Sequence, residues 1–116
     1  MRRLAVFAAA LIASAVPVFA QQYSYSIEGT NLDGSPYGGT AVIQWISDST
    51  CVIEWTTGPS VSTGICMRNG PAFAAAYVLG GGTGLVVYQI MDNGRLEGLW
   101  TIAGQNGAGT EVLTPQ

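Results

Sequence analysis

The chain has 116 residues, 48% hydrophobic and 9% charged, with four basic residues, seven acids, no histidine and a net charge of −3. Nucleic acid and anionic membrane surfaces need a basic face, and the basic residues here are only Arg2, Arg3, Arg68 and Arg95, so neither is an expected partner. Without His or Lys most catalytic constellations cannot be assembled, and the chain is expected not to be an enzyme.

The chain opens on Arg2-Arg3, an apolar run from Leu4 to Ala15, then Pro17 and Val18-Phe19-Ala20. A basic start, an apolar middle and small residues before a cleavage point make residues 1–20 a Sec signal peptide. The run is shorter than the ~20 residues of a spanning helix, so no membrane span is expected after cleavage. Residues 21–116 then form a single β-barrel domain, periplasmic or secreted. Loss of Arg2 and Arg3 leaves two arginines against seven acids, a net charge of −5.

Beyond residue 20 no helix-period segment stands out. Eight short alternating runs, at about 22–29, 39–47, 50–57, 61–68, 72–79, 84–91, 95–103 and 108–114, are separated by Gly, Asn, Asp and Pro. This pattern predicts an all-β fold, a small eight-stranded antiparallel up-and-down barrel built as a meander of hairpins. Closure removes the two edges an open sheet would expose.

In the first run Tyr23, Tyr25 and Ile27 alternate with Ser24, Ser26 and Glu28, and point inward. The loop 30–38 follows, and Asn31, Asp33 and Tyr37 make it the candidate contact surface. Tyr37 either meets a partner or folds back to cap the barrel end. Asn31-Leu32-Asp33-Gly34-Ser35 resembles the start of a calcium loop, but the closing bidentate acid is missing, so it reads as an Asp-Gly turn.

Ala41, Ile43 and Trp45, then Cys51, Ile53 and Trp55, continue the inner face. A hairpin centred between Gly58 and Pro59 places Cys51 opposite Cys66. Facing Cα atoms lie roughly 4.5–5.5 Å apart, which suits a disulfide in an oxidising compartment. Gly80-Gly81-Gly82-Thr83-Gly84 lacks the Lys and helix of a phosphate loop and reads as a flexible turn.

Two registers compete around Asp92-Asn93-Gly94. A two-residue Asn-Gly loop pairs Val87 with Trp100. A three-residue loop with left-handed Gly94 pairs Val86 with Trp100 and sends Val86, Tyr88 and Ile90 inside. The second is preferred, because the first buries Gln89.

Leu96, Gly98, Trp100 and Ile102 face inward, so Trp45, Trp55 and Trp100 are all barrel-interior or ligand-facing candidates, with Gly64 and Gly98 as small counterparts. An interior so rich in Tyr, Trp and Ile reads as filled, with no large cavity. Glu111 is inward if Leu113 is, where it could meet Arg95, Arg68 or a ligand. The preferred alternatives are fraying of the last strand, or Thr110 and Val112 on the inner face. No ligand set for a metal and no cofactor motif is found.

Several motifs resemble a known family. They are Gly29-Thr30-Asn31-x-Asp33-Gly34-Ser35 with Tyr37-x-Gly39-Thr40, then Ala74-x-Ala76-Tyr77, Leu96-x-Gly98-x-Trp100, and Gly109-Thr110-Glu111-x-Leu113-Thr114-Pro115. Together they are similar to a family of small secreted alphaproteobacterial β-rich proteins, mostly uncharacterised, some of which are labelled fibronectin-binding. The resemblance spans nearly all of residues 23–115, implies no catalytic residue, and does not include the Cys51/Cys66 pair.

The sequence thus points to an exported, monomeric, non-enzymatic binding module that contacts a macromolecule through barrel-end loops, in the manner of an adhesion or inhibitor module. A periplasmic small-molecule binder of calycin type, taking a small apolar ligand, is the alternative. A structural envelope protein is a third reading.

Overall fold

A computed structural model describes residues 21–116. The expected leader and its cleavage point lie outside the described residues. Eight antiparallel strands close into one barrel, each hydrogen-bonded to its neighbour in sequence and β1 to β8. They are β1 (Gln22–Thr30), β2 (Pro36–Trp45), β3 (Thr50–Thr57), β4 (Ser60–Asn69), β5 (Ala72–Leu79), β6 (Gly82–Ile90), β7 (Leu96–Ile102) and β8 (Gly109–Pro115).

The registers follow from the turns. Cys51 stands opposite Cys66 and is bonded to it, with Cα atoms 4.9 Å apart. Val86 stands opposite Trp100, as the three-residue loop requires. Met91 N–H donates to the Arg95 carbonyl, Gly94 N–H to the Met91 carbonyl, and Gly94 takes a φ of 86°, where a side chain would be strained. Gln89 consequently faces out and Tyr88 is buried.

The same turn chemistry closes β1 to β2. Asn31 N–H donates to the Ser35 carbonyl, and Asp33 accepts from the Ser35 N–H and hydroxyl. This shortens the expected 30–38 loop to residues 31–35, because β2 begins at Pro36 and Tyr37 lies within a strand.

Up-and-down connectivity gives the barrel two distinct ends. One carries the turns 46–49, 70–71 and 91–95, the two described arginines Arg68 and Arg95, and the points where β1 begins and β8 ends. Its half of the interior is packed solid by Ile27, Ile43, Ile53, Phe73, Leu96 and Leu113. Trp45 closes it, edge-on to Phe73 at 5.9 Å between ring centroids, beside the disulfide on the neighbouring strands. The other end carries the turns 31–35, 58–59, 80–81 and 103–108, and it is open.

Tyr23 keeps the inward register, opposite Ile43, but is half exposed at the strand end. β8 reaches only as far as Tyr25 along β1, so nothing on that side covers Tyr23. The outer face is also less uniform than alternation predicts. Ser24, Ser26, Glu28 and Glu54 keep it polar on β1 and β3, while Ile65, Met67, Val78, Leu85, Val87 and Leu99 leave β4–β7 apolar and exposed.

Candidate functional site

The open end is a cavity of about 540 Å³, entered between the turns and reaching inward to Glu111. It exists because the inward side chains of that half are hydroxyls and glycines as well as aromatics. Trp55, Tyr77 and Trp100 form its walls, and Thr57, Ser60 and Ser62 line the β3–β4 side with hydroxyls. The interior is therefore filled at one end only, a correction to the expectation of a barrel filled throughout. Parity places large residues inward but not how far along the axis their rings lean.

Glu111 is on the inner face of β8 and buried, with Leu113 below it. Neither fraying nor a reversed face is observed, and neither Arg68 nor Arg95 approaches it. Its partners are aromatic donors instead. Tyr37 O–H donates to Oε1 at 2.5 Å, Trp55 Nε1–H donates to Oε2 at 2.9 Å, and Tyr88 O–H also donates to Oε2. Trp55 Nε1 lies 3.2 Å from the Tyr88 hydroxyl, so the three donors form one network. The two oxygens of a carboxylate offer about four acceptor positions, enough for all three donors.

Backbone spacing explains how donors from three other strands reach one carboxylate. Across the sheet the inward row runs Tyr37, Gly29, Glu111, Gly98, Tyr88. Glu111 is thus flanked on both sides by glycine, and a tyrosine stands beyond each glycine. A Cβ at Gly29 would lie 2.6 Å from Tyr37 Cζ, and one at Gly98 would lie 2.9 Å from Tyr88 Cα and Cδ1. The tyrosines lie across the missing side chains and so arrive at Glu111. Two further pairs use the same device: Tyr77 covers Gly84, and Trp100 covers Gly109.

The electrostatics follow from burial and from Glu111. Tyr88 and Tyr37 are held well above the ordinary tyrosine range, first by burial and then by the facing carboxylate. Tyr77 is pushed up to about 12 by the same two causes. At the rim, hydrogen bonds from Ser35 hold the Asp33 carboxyl below its usual range. Arg95 pairs with Glu97 at 3.3 Å at the opposite end, where Arg68 is exposed.

Of the residues singled out from sequence, Trp55, Trp100, Tyr37 and Asn31 come together at the cavity. Trp45 does not, being at the closed end. Asp33 stays on the turn outside. Tyr37 is half-buried and directed at Glu111, so it lines the open mouth and does not close it. Tyr77, Tyr88 and Glu111 complete the site. Inward parity with Leu113 was the available signal for Glu111.

No protein-family model, no curated protein and no solved structure matches the chain.

Proposed function

We propose that this is an exported, non-enzymatic binding module whose ligand is a small molecule seated in the mouth of the barrel. One observation carries the reading: a cavity of about 540 Å³, walled by Trp55, Tyr77 and Trp100, with a few convergent polar groups. Small-molecule sites have this size, roughly 300–1,000 Å³, and this mixture of apolar wall and sparse polar anchor. Export is supported by the leader-like pattern of residues 1–20 and by the Cys51–Cys66 bridge, which oxidising compartments favour. A non-enzymatic role is supported by a site whose ionisable side chains are one carboxylate and tyrosines, in a chain without His or Lys.

A screen of small aromatic and aliphatic compounds, read by tryptophan emission and melting temperature, tests the reading. A ligand at a hundred times its Kd raises stability by about 2.7 kcal/mol. Ser62→Phe, which fills the cavity from β4, should abolish both responses. Binding that survives Ser62→Phe places the ligand elsewhere and refutes the proposal, as does a screen without any response.

A further inference from the structure

Among the described residues the Glu111 carboxylate has no cationic partner. It is buried, and every donor that reaches it is neutral: two tyrosine hydroxyls and one indole. Both arginines of the described chain are at the other end of the barrel, and Asp33 adds a second negative charge at the rim. Buried ions are ordinarily paired. Three donors occupy three of about four acceptor positions on the two oxygens, and Oε1 carries only one of them. Glu111 also lines the cavity, at its inner end.

The surroundings suit one kind of counter-charge. Trp55 and Tyr77 stand together at 5.0 Å between centroids, with Trp100 on the far wall edge-on to Tyr37. Aromatic faces attract organic cations through the ring quadrupole, tryptophan most strongly. An inorganic metal ion would ask for several oxygen or nitrogen ligands, and among the described residues no cluster of three acidic, Cys or His side chains could hold one.

We infer that the mouth cavity selects a small organic cation, an amine or quaternary ammonium on an apolar body, with its charged head on Glu111 and its body against Trp55, Tyr77 and Trp100. This rests on the small-molecule reading above and adds the charge of the ligand. The competing explanation is that Glu111 only fixes the three aromatic donors in place.

The test is calorimetric titration of the full-length purified protein with matched probes: phenethylamine, tyramine, benzyltrimethylammonium and choline as cations, 2-phenylethanol and benzyl alcohol as neutral counterparts, phenylacetate as the anion. Trp55 and Trp100 indole N–H resonances report where each probe sits. At least one cation should bind about tenfold or more tightly than its neutral counterpart, the expected scale for a desolvated cation near aromatics and a carboxylate. Phenylacetate should bind most weakly. Glu111→Gln, which keeps the shape, should remove the preference. The wild-type comparison stands even if that variant fails to fold. Cations and alcohols that bind alike and move both indole resonances overturn the cation assignment and leave the cavity reading standing. No binding by any probe, with both resonances unmoved, overturns the two together.

Discussion

Gly84 and Tyr77 offer a direct test of how the site is built. A Cβ at Gly84 would clash with Cε2 and Cζ of the Tyr77 ring and lie 2.7 Å from its hydroxyl, and the nearest atoms are all on that side chain. Alanine should therefore push the ring off β6 and into the cavity. Overpacking of this kind costs about 2 kcal/mol, and replacing a strand glycine returns about 0.5 kcal/mol, a net loss of about 1.5 kcal/mol. For a domain of this size that lowers the melting temperature by about 6–12 °C. In a Tyr77→Ala background the ring is gone, and Gly84→Ala should be neutral or stabilising by about 0.5 kcal/mol. Urea denaturation of the wild type, both single variants and the double variant, followed by circular dichroism, gives the coupling energy. A value near 2 kcal/mol is expected; one below about 0.5 kcal/mol would mean the two residues are independent, and would refute the reasoning.

Tyr88→Phe removes one donor from the buried carboxylate and one acceptor from Trp55. A hydrogen bond to a charged group is worth about 1.5–3 kcal/mol, so urea melts should show a loss near 2 kcal/mol and a change in tryptophan emission. Alkaline pH acts on the same cluster. Tyr37, Tyr77 and Tyr88 keep their protons above the ordinary tyrosine value of 10, while the unfolded chain releases them near it, so stability is full below pH 10 and falls as the pH rises past it. Tyrosinate absorbance should therefore rise in step with unfolding for these three, and a native protein that titrates all its tyrosines near 10 would contradict the placement. Reduction of Cys51–Cys66, separated by 15 residues, should lower stability by about 3 kcal/mol or less, measured by urea midpoint with and without reductant.

The barrel was legible because turns and alternation agree. Gly58-Pro59 sets one register and the three-residue loop Asp92-Asn93-Gly94, with Gln89 kept outside, sets another; the period-two pattern of β3, β6 and β7 agrees with both. The site was only half legible. Trp55 and Trp100 follow from parity, yet parity also suggested that such rings would fill the interior. What it omits is tilt: Trp100 leans over Gly109 and Tyr77 over Gly84, which leaves the space above Glu111 open. Parity with Leu113 allows Glu111 inside, but nothing near it in sequence shows what would compensate a carboxylate there. Its compensation comes from Tyr37, 74 residues away, and Trp55, 56 away, and no local pattern announces such partners.

Both ends of the described chain leave the barrel at its closed end, side by side. The Gln116 N–H donates to the Ser24 carbonyl, and Tyr25 stands opposite Pro115. The molecule therefore has a handle and a working face at opposite poles. A bead, a surface or a fused reporter joined at Gln21 or Gln116 would hold every copy with its mouth turned outward. A short splice between those two residues would also allow the chain to be reopened at residues 103–108, converting the rim of the cup into a pair of free ends while every strand keeps both neighbours.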